Sequence, residues 1–195
     1  MPKSAIQTLR TPQERTVEVL RQVALIIGAS LFVGLCARIT IPLMPLTLVP
    51  LTVQNFAVLL VGLLLGGRRG FAALMMYLVE GMSGLPVFNP TGPGGVAQLF
   101  GVTGGFLLAY PVVAFVAGYI FERGNKSFAR AVIAGVMAEI LLFLGGVGWL
   151  YIWAHAIKGV YVFVPAEIIK VLVAAAIASR WYRFASRDGA KESLL

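Results

Sequence analysis

Apolar runs of membrane-spanning length are the feature of this sequence that most restricts its fold. Residues 23–37 are all apolar or small, and only two charged residues interrupt a second apolar run over residues 164–178. About 20 apolar residues in a helix cross the hydrocarbon core of a bilayer. Because 59% of the residues are hydrophobic and only 12% are charged, against about 25% in soluble domains, the chain is predicted to be an integral membrane protein.

The spacing of these runs predicts an all-α domain of six transmembrane helices, since 195 residues hold at most six or seven spans of about 20 residues. The predicted helices cover residues 19–38, 51–65, 71–82, 106–121 and 129–147, and the sixth opens with the apolar run over 164–178. We expect a cytoplasmic N-terminal segment over residues 1–18, a membrane domain over 19–182 and a cytoplasmic tail over 183–195. Residues 12–22 predict a short solvated helix ahead of the first span. The second and third helices are short enough to be tilted, kinked or incompletely transmembrane.

The positions of the cations predict the orientation. Placing both termini in the cytoplasm puts thirteen of the sixteen Lys and Arg residues on that side, as the positive-inside rule requires. The thirteen are Lys3, Arg10, Arg15, Arg21, Arg68, Arg69, Arg123, Lys126, Arg130, Arg180, Arg183, Arg187 and Lys191. Arg38 and Lys158 then lie outside, and Lys170 lies within the sixth helix. The irregular loops and the N-terminal end of the sixth helix therefore all face outward.

Two long, largely apolar segments cannot be regular helices. Residues 41–50 contain three prolines, so we expect a loop packed over the outer end of the bundle. Residues 84–105 are rich in glycine and proline and carry no charge, yet they include Phe88 and Phe100. Non-helical backbone at membrane depth survives only where protein covers it or where it lines a cavity. The second segment is therefore either a lid or wall of a binding site, or a tight connector.

Glu167 and Lys170 place opposite charges inside the last apolar run, where each costs roughly 2.5–3.5 kcal/mol on insertion scales. At i and i+3 of a helix the two side chains share one face. Glu167 follows Pro165 in the first turn, where the helix dipole favours a negative charge. The pair either neutralises itself or forms a polar site facing a cavity. Glu139, in the middle of the fifth helix, either carries a proton, pairs with a cation or faces the bundle seam.

The sequence carries no motif for catalysis, metal binding or a cofactor, and we expect none of the three. It has no Walker loop, no His-Glu-x-x-His and no Gly-x-Ser-x-Gly. The one histidine, His155, has no second ligand near it. The formal charge of +8 is spread between the apolar runs instead of forming a patch, which argues against nucleic-acid binding. An intramembrane enzyme acting through Glu139 or Glu167 remains an alternative without a supporting motif.

A series of short motifs follows the chain in order, over roughly residues 19–182. The motifs are VPLTVQ at 49–54, LLLG at 63–66, RRG at 68–70, YL at 77–78, GLPVF at 84–88, TGGFLL at 103–108 and PAEIIK at 165–170. Together they resemble the signatures of the BioY family, the biotin-specific substrate-binding (S) components of energy-coupling factor (ECF) transporters. The resemblance implies a six-helix protein of a bacterial-type cytoplasmic membrane that binds biotin from outside. It also implies partners, namely a transmembrane coupling subunit and two cytoplasmic ATPases that hydrolyse the ATP.

The resemblance also implies a set of binding residues. Glu167 and Lys170 match the family's Asp/Glu-x-x-Lys pattern: the carboxylate can accept ureido N–H bonds, and the ammonium can serve the ureido oxygen or the biotin carboxylate. Asn89 and Gln54 are further candidates for the ureido edge. Candidates for the walls are Phe88, Tyr77, Trp149 and Trp153.

One departure from the family pattern concerns partner docking. Helix 1 has Ala24-x-x-x-Gly28 where Ala-x-x-x-Ala is expected for contact with the coupling subunit. Glycine keeps the small size that close packing needs, so Ala24 and Gly28 stay candidates for docking, with packing inside the bundle as the alternative. Val102 replaces an expected proline. Two other functions stay open: an S component or solitary transporter for another vitamin, and a membrane assembly subunit without a ligand.

Overall fold

The computed structural model describes residues 12–43, 46–154 and 160–192, and helices form most of these ranges. The α-helices are α1 (Pro12–Ala37), α2 (Gln54–Leu65), α3 (Gly67–Met82), α4 (Gly95–Leu99), α5 (Gly104–Glu122), α6 (Phe128–Ala154) and α7 (Val164–Glu192). A 3₁₀ turn, Val160–Phe163, precedes α7. Two short strands, β1 (Thr40–Ile41) and β2 (Leu51–Thr52), pair antiparallel, with Thr40 opposite Thr52.

Four helical segments of the described chain are long and apolar enough to cross a bilayer. They are Gln13–Ala37, Gly104–Glu122, Phe128–Trp153 and Tyr161–Ser186. The other two bundle helices are shorter, since α2 has 12 residues and α3 has 16, in agreement with the short second and third helices of the sequence prediction. The protein is therefore a helical membrane protein, as its composition predicted.

Helix α5 is central to the bundle, where it packs against α2, α3 and α6. Small residues bring these backbones together. A Cβ atom on Gly62 of α2 would lie 2.5 Å from the carbonyl oxygen of Ala114 in α5, and one on Gly70 of α3 would lie 3.1 Å from the Cα of Gly62. Helices in a membrane gain most of their association energy from such close packing, because burial of apolar surface provides little there. The close contact at Gly62 holds the C-terminal half of α2 against α5.

The helices extend beyond several of the predicted bounds. Residues 12–22 do not form a separate helix, because α1 continues unbroken from Pro12, where proline favours a helix start, and Gln22 donates to Glu18 at 2.6 Å along its surface. Helix α7 likewise runs past residue 182 to Glu192, and α6 continues to Ala154. The predicted second helix is wrong at its start, because Leu51 and Thr52 pair with β1 and α2 begins at Gln54.

Residues 84–103, which we name the glycine-rich loop, fold onto the helix bundle. Three side chains of the bundle donate hydrogen bonds to backbone carbonyl groups of the loop. The Arg38 guanidinium donates to the carbonyl of Pro86, and the Tyr77 hydroxyl donates to that of Val87 at 3.2 Å. Trp149 donates from its indole nitrogen to the carbonyl of Gly101 at 2.9 Å. The loop also contains α4, a helix that the sequence analysis did not predict. Anchored in this way, the loop covers one end of the helix bundle.

Candidate functional site

A small cavity of about 50 Å³ lies where the glycine-rich loop, the segment before α2 and the helices α2, α5, α6 and α7 meet. Its polar lining residues include Gln54, Asn55, Asn89, Glu167 and Lys170, and its aromatic ones are Phe106, Tyr110, Phe143 and Phe163. Pockets for small ligands usually hold about 300–1,000 Å³. Side chains or loops must therefore move outward before a molecule of vitamin size can occupy this cavity.

The charged pair predicted from the sequence lies in this cavity and is joined to two further residues. Lys170 Nζ and Glu167 Oε1 are 2.8 Å apart, with side chains 14% and 11% exposed. The amide nitrogen of Asn55 donates to Glu167 Oε2 and to Glu139 Oε1, each at 2.7 Å. One ammonium and one amide group thus hold two carboxylates from different helices at the cavity.

Local sequence explains how these residues meet. Gln54 and Asn55 open α2 directly after β2, so the short strand pair fixes where the first turn of α2 lies. Glu167 lies in the first turn of α7, where the positive end of the helix dipole favours a carboxylate. Because α2 packs against α7, the N-terminal turns of both helices bring their polar side chains to one point.

Two buried oxygens of this network have no hydrogen-bond partner among the described residues, Asn55 Oδ1 and Glu139 Oε2. Asn55 is 4% exposed and Glu139 is 7% exposed. Buried polar atoms are rarely left unpaired, because each costs about 1–3 kcal/mol. The network therefore has spare acceptor capacity beside the cavity, which a ligand carrying N–H donors or a water molecule can use.

Asn89 reaches the cavity from the glycine-rich loop, and an internal turn fixes its orientation. Its Oδ1 accepts hydrogen bonds from the backbone nitrogen of Thr91 at 2.9 Å and from the Thr91 hydroxyl at 2.6 Å. Gln98, from α4, donates to the Asn89 carbonyl at 3.3 Å. Since Oδ1 is engaged, the amide N–H groups of Asn89 are what it offers to the cavity.

The structure places four of the predicted binding residues in the lining of the cavity and the other four outside it. Glu167, Lys170, Asn89 and Gln54 line the cavity, whereas Phe88, Tyr77, Trp149 and Trp153 are not among its lining residues. Tyr77 is fully buried behind Gln54, and its ring packs edge-on against Phe88, with centroids 5.3 Å apart.

The two tryptophans occupy other positions. Trp149 is used to anchor the glycine-rich loop, and Trp153 lies half exposed near the end of α6. The resemblance from which these wall residues were predicted does not distinguish a lining ring from one packed behind it.

Sequence reasoning missed several residues at or beside the site, among them three polar ones. Asn55 and Tyr110 line the cavity, and Glu139 joins it through Asn55. Glu139 and Asn55 carried a signal, because each is a polar residue inside an apolar run, but nothing in their spacing paired them. Tyr110 carried none, since it is one aromatic residue in an apolar helix.

A second, larger groove of about 680 Å³ lies between α6 and α7 and shares Phe143 and Glu167 with the cavity. Most of its lining is aliphatic, and Ile140, Leu144 and Ile168 in its walls are half exposed or more. Exposed aliphatic side chains on membrane-spanning helices are what lipid chains contact. The smaller cavity, where the polar groups converge, is therefore the candidate functional site.

Comparison with known proteins identifies the family. The BioY family model matches residues 6–187. This chain belongs to the BioY family. The match covers every helix that lines the cavity, and it confirms the resemblance drawn from the motifs.

Proteins named as BioY biotin transporters resemble the chain along most of its length. The "Biotin transporter BioY" of Thermotoga maritima is 38% identical over 163 residues, which are 80% of this chain and 94% of that protein. The "Probable biotin transporter BioY" of Pyrococcus horikoshii is 34% identical over 160 residues, covering 77% and 91%. A solved structure, the S-component for biotin from an ECF-type ABC transporter, superposes with a TM-score of 0.74 at 23% identity, over 85% of this chain and 93% of that one. That superposition shows that this BioY chain has the S-component fold.

Proposed function

We propose that this BioY protein binds biotin in the cavity between the glycine-rich loop and helices α2, α5, α6 and α7, and that it serves biotin uptake as an S component. One observation carries the proposal: the Glu167–Lys170 pair, tied to Asn55, lies at a cavity whose other walls are largely apolar and aromatic. A site of this kind, mostly apolar with a few fixed polar groups, suits a small amphipathic ligand.

The chemistry of biotin matches these groups one by one. Its ureido ring has two N–H donors and one carbonyl acceptor, its second ring is an apolar thioether, and its tail ends in a carboxylate. Glu167 and the spare oxygen of Asn55 are acceptors for ureido N–H groups, whereas Lys170 and the amide of Asn89 are donors for an oxygen of the ligand. Phe106 and Phe163 supply apolar surface for the thioether ring.

We further propose six membrane-spanning helices in the cytoplasmic membrane with both termini in the cytoplasm. Support comes from the two ends of the bundle. At the end opposite the cavity, Arg123 lies 4.0 Å above the ring of Tyr119 and Lys126 lies 4.0 Å above that of Tyr182. Cations concentrated on one side are the mark of the cytoplasmic face. The cavity, near Arg38 and the glycine-rich loop, then opens to the outside.

The coupling partners in this proposal are a transmembrane subunit and two cytoplasmic ATPases, with Ala24 and Gly28 as the docking surface. Ala24 and Gly28 are exposed on α1, and no described residue outside α1 comes within 4 Å of a Cβ built on Gly28. Gly34, on the inner face of the same helix, would place its Cβ 3.1 Å from that of Val87. The inner small residues thus serve the bundle, while the outer pair is left for a partner helix.

The test is ligand binding by the purified protein. Biotin at nanomolar to micromolar concentrations should bind with one molecule per chain and raise the unfolding temperature, because a ligand that binds only the folded state stabilises it. Stabilisation by another vitamin with no response to saturating biotin would instead make the chain an S component for that vitamin. No response to any vitamin would favour an assembly subunit.

A further inference from the structure

Tyr77 lies outside the cavity, yet it is hydrogen-bonded to a residue that lines it. Its side chain is 0% exposed on α3, and its hydroxyl oxygen is 2.8 Å from Nε2 of Gln54 and 3.2 Å from the carbonyl oxygen of Val87. Gln54, itself 1% exposed, lines the cavity. The hydroxyl therefore lies between the glycine-rich loop and a residue of the binding site.

The direction of these two hydrogen bonds follows from the atoms involved. A backbone carbonyl can only accept, so the single proton of the Tyr77 hydroxyl goes to Val87. The hydroxyl must then accept from Gln54, which turns the amide nitrogen of Gln54 toward Tyr77. In a planar amide this directs the carbonyl oxygen away from Tyr77. The Val87 carbonyl thus sets the orientation of the Gln54 amide through the Tyr77 hydroxyl.

We propose that Tyr77 is a positioning residue for ligand binding, which holds the Gln54 amide so that its carbonyl oxygen faces the cavity as a fixed acceptor for a ligand N–H group. The proposal rests on biotin as the ligand, since the ureido ring supplies such a donor. Without the Tyr77 hydroxyl, the Gln54 amide is free to rotate and to present its nitrogen, which repels an N–H donor.

The surroundings of Tyr77 make a clean test possible. The ring is held by Phe88, whose plane lies at 72° to it, so Tyr77→Phe removes the hydroxyl and keeps the apolar contacts. The chain offers a matched control in Tyr182, whose hydroxyl also donates to a backbone carbonyl across helices, that of Leu64 at 3.0 Å. Leu64 lies near the opposite end of α2 from Gln54, so Tyr182→Phe costs a similar hydrogen bond without touching the site.

The experiment measures Kd by calorimetry for biotin and for two analogues, each methylated at one ureido nitrogen, with unfolding temperature as a check on folding. We expect Tyr77→Phe to weaken biotin binding by about 3- to 30-fold, the loss of one fixed hydrogen bond or somewhat more. Tyr182→Phe should leave Kd within about 2-fold. The wild type should bind biotin more tightly than the analogue whose methyl group replaces the N–H that Gln54 accepts. This ratio of Kd values should be smaller in Tyr77→Phe and in Gln54→Ala. In the Gln54→Ala background, Tyr77→Phe should have no further effect on Kd.

Several results would overturn the proposal. Equal changes in Kd for the Tyr77 and Tyr182 variants would reduce Tyr77 to a structural residue, and a full Tyr77→Phe effect in the Gln54→Ala background would show that it does not act through Gln54. If Tyr77→Phe does not fold, an unchanged analogue preference in Gln54→Ala alone refutes the acceptor role. A wild type that binds no biotin refutes the proposed function and this inference together, whereas normal wild-type binding with an unaffected Tyr77→Phe refutes only the inference.

Discussion

Replacing Lys170 by methionine tests whether the buried ion pair serves the ligand or only the fold. Methionine keeps most of the length and volume of the side chain but removes the charge. In the unliganded protein, Glu167 then loses its 2.8 Å partner and keeps the hydrogen bond from the Asn55 amide. Removing one member of a buried pair costs about 3–5 kcal/mol, and the 11% exposure of the Glu167 side chain favours the lower part of that range.

The effect on binding is separate from this loss of stability. If Lys170 donates to an oxygen of biotin, its removal costs about 2–5 kcal/mol of binding free energy, which is roughly a 30- to 4,000-fold increase in Kd. The double variant Glu167→Gln, Lys170→Met distinguishes the two effects. Neither position of the pair is charged in this variant, so its stability should return close to that of the wild type, while its affinity for biotin should stay low.

The assay is isothermal titration calorimetry in detergent, combined with thermal unfolding of each variant without ligand. Restored stability without restored binding is the expected pattern. If the single and double variants all bind biotin with the wild-type Kd, the pair only neutralises its own charge and the ligand site lies elsewhere.

Three further variants test the supports of the site. Asn55→Leu removes the amide shared by Glu167 and Glu139, so it should lower stability by about 1–3 kcal/mol and abolish tight biotin binding. A wild-type Kd for biotin in this variant, measured by calorimetry, would show that the Asn55 hydrogen bonds do not support the site. Gly62→Val places a side chain against a backbone oxygen at 2.5 Å, and we expect about 1–3 kcal/mol of destabilisation by thermal unfolding, whereas an unchanged unfolding temperature would show that the helices can separate freely. Trp149→Phe removes a hydrogen bond to the glycine-rich loop, worth about 0.5–1.5 kcal/mol; protease cleavage in the loop should become faster, and an unchanged cleavage rate would show that other contacts hold it.

The sequence predicted the membrane class, the family and the main charged pair because each rests on a local pattern. Apolar length specifies a membrane helix, and an i,i+3 spacing brings Glu167 to Lys170 within a single helix. The short lengths of α2 and α3 were also predictable, since the charged and glycine-rich positions 66–70 and 81–84 bound their apolar runs.

The rest of the site depends on contacts between distant segments, which no local pattern specifies. Asn55 bonds to Glu167 across 112 positions and to Glu139 across 84. Only the packing of α2 against α7 and α6 decides that these three residues meet. The same holds for Tyr77, which was predicted as a wall of the site. Its hydrophobic neighbours in the sequence do not reveal that Gln54 lies between it and the cavity.

Helix bounds failed for a different reason. Residues 12–22 are polar enough to be solvated, but no helix-breaking residue separates them from the apolar run, so α1 continues through both parts. Leu51 and Thr52 are apolar or neutral and fit a helix by composition. Their pairing with Thr40 and Ile41 is a contact between two separate segments, which composition does not reveal.

A structure of the protein with biotin bound tests the central claim most directly. We expect the ureido ring in the cavity, within hydrogen-bonding distance of Glu167 and either Lys170 or Asn89, and the cavity enlarged from its present volume of about 50 Å³. Biotin found instead in the apolar groove between α6 and α7, or on the surface away from Glu167, would contradict the assignment of the site.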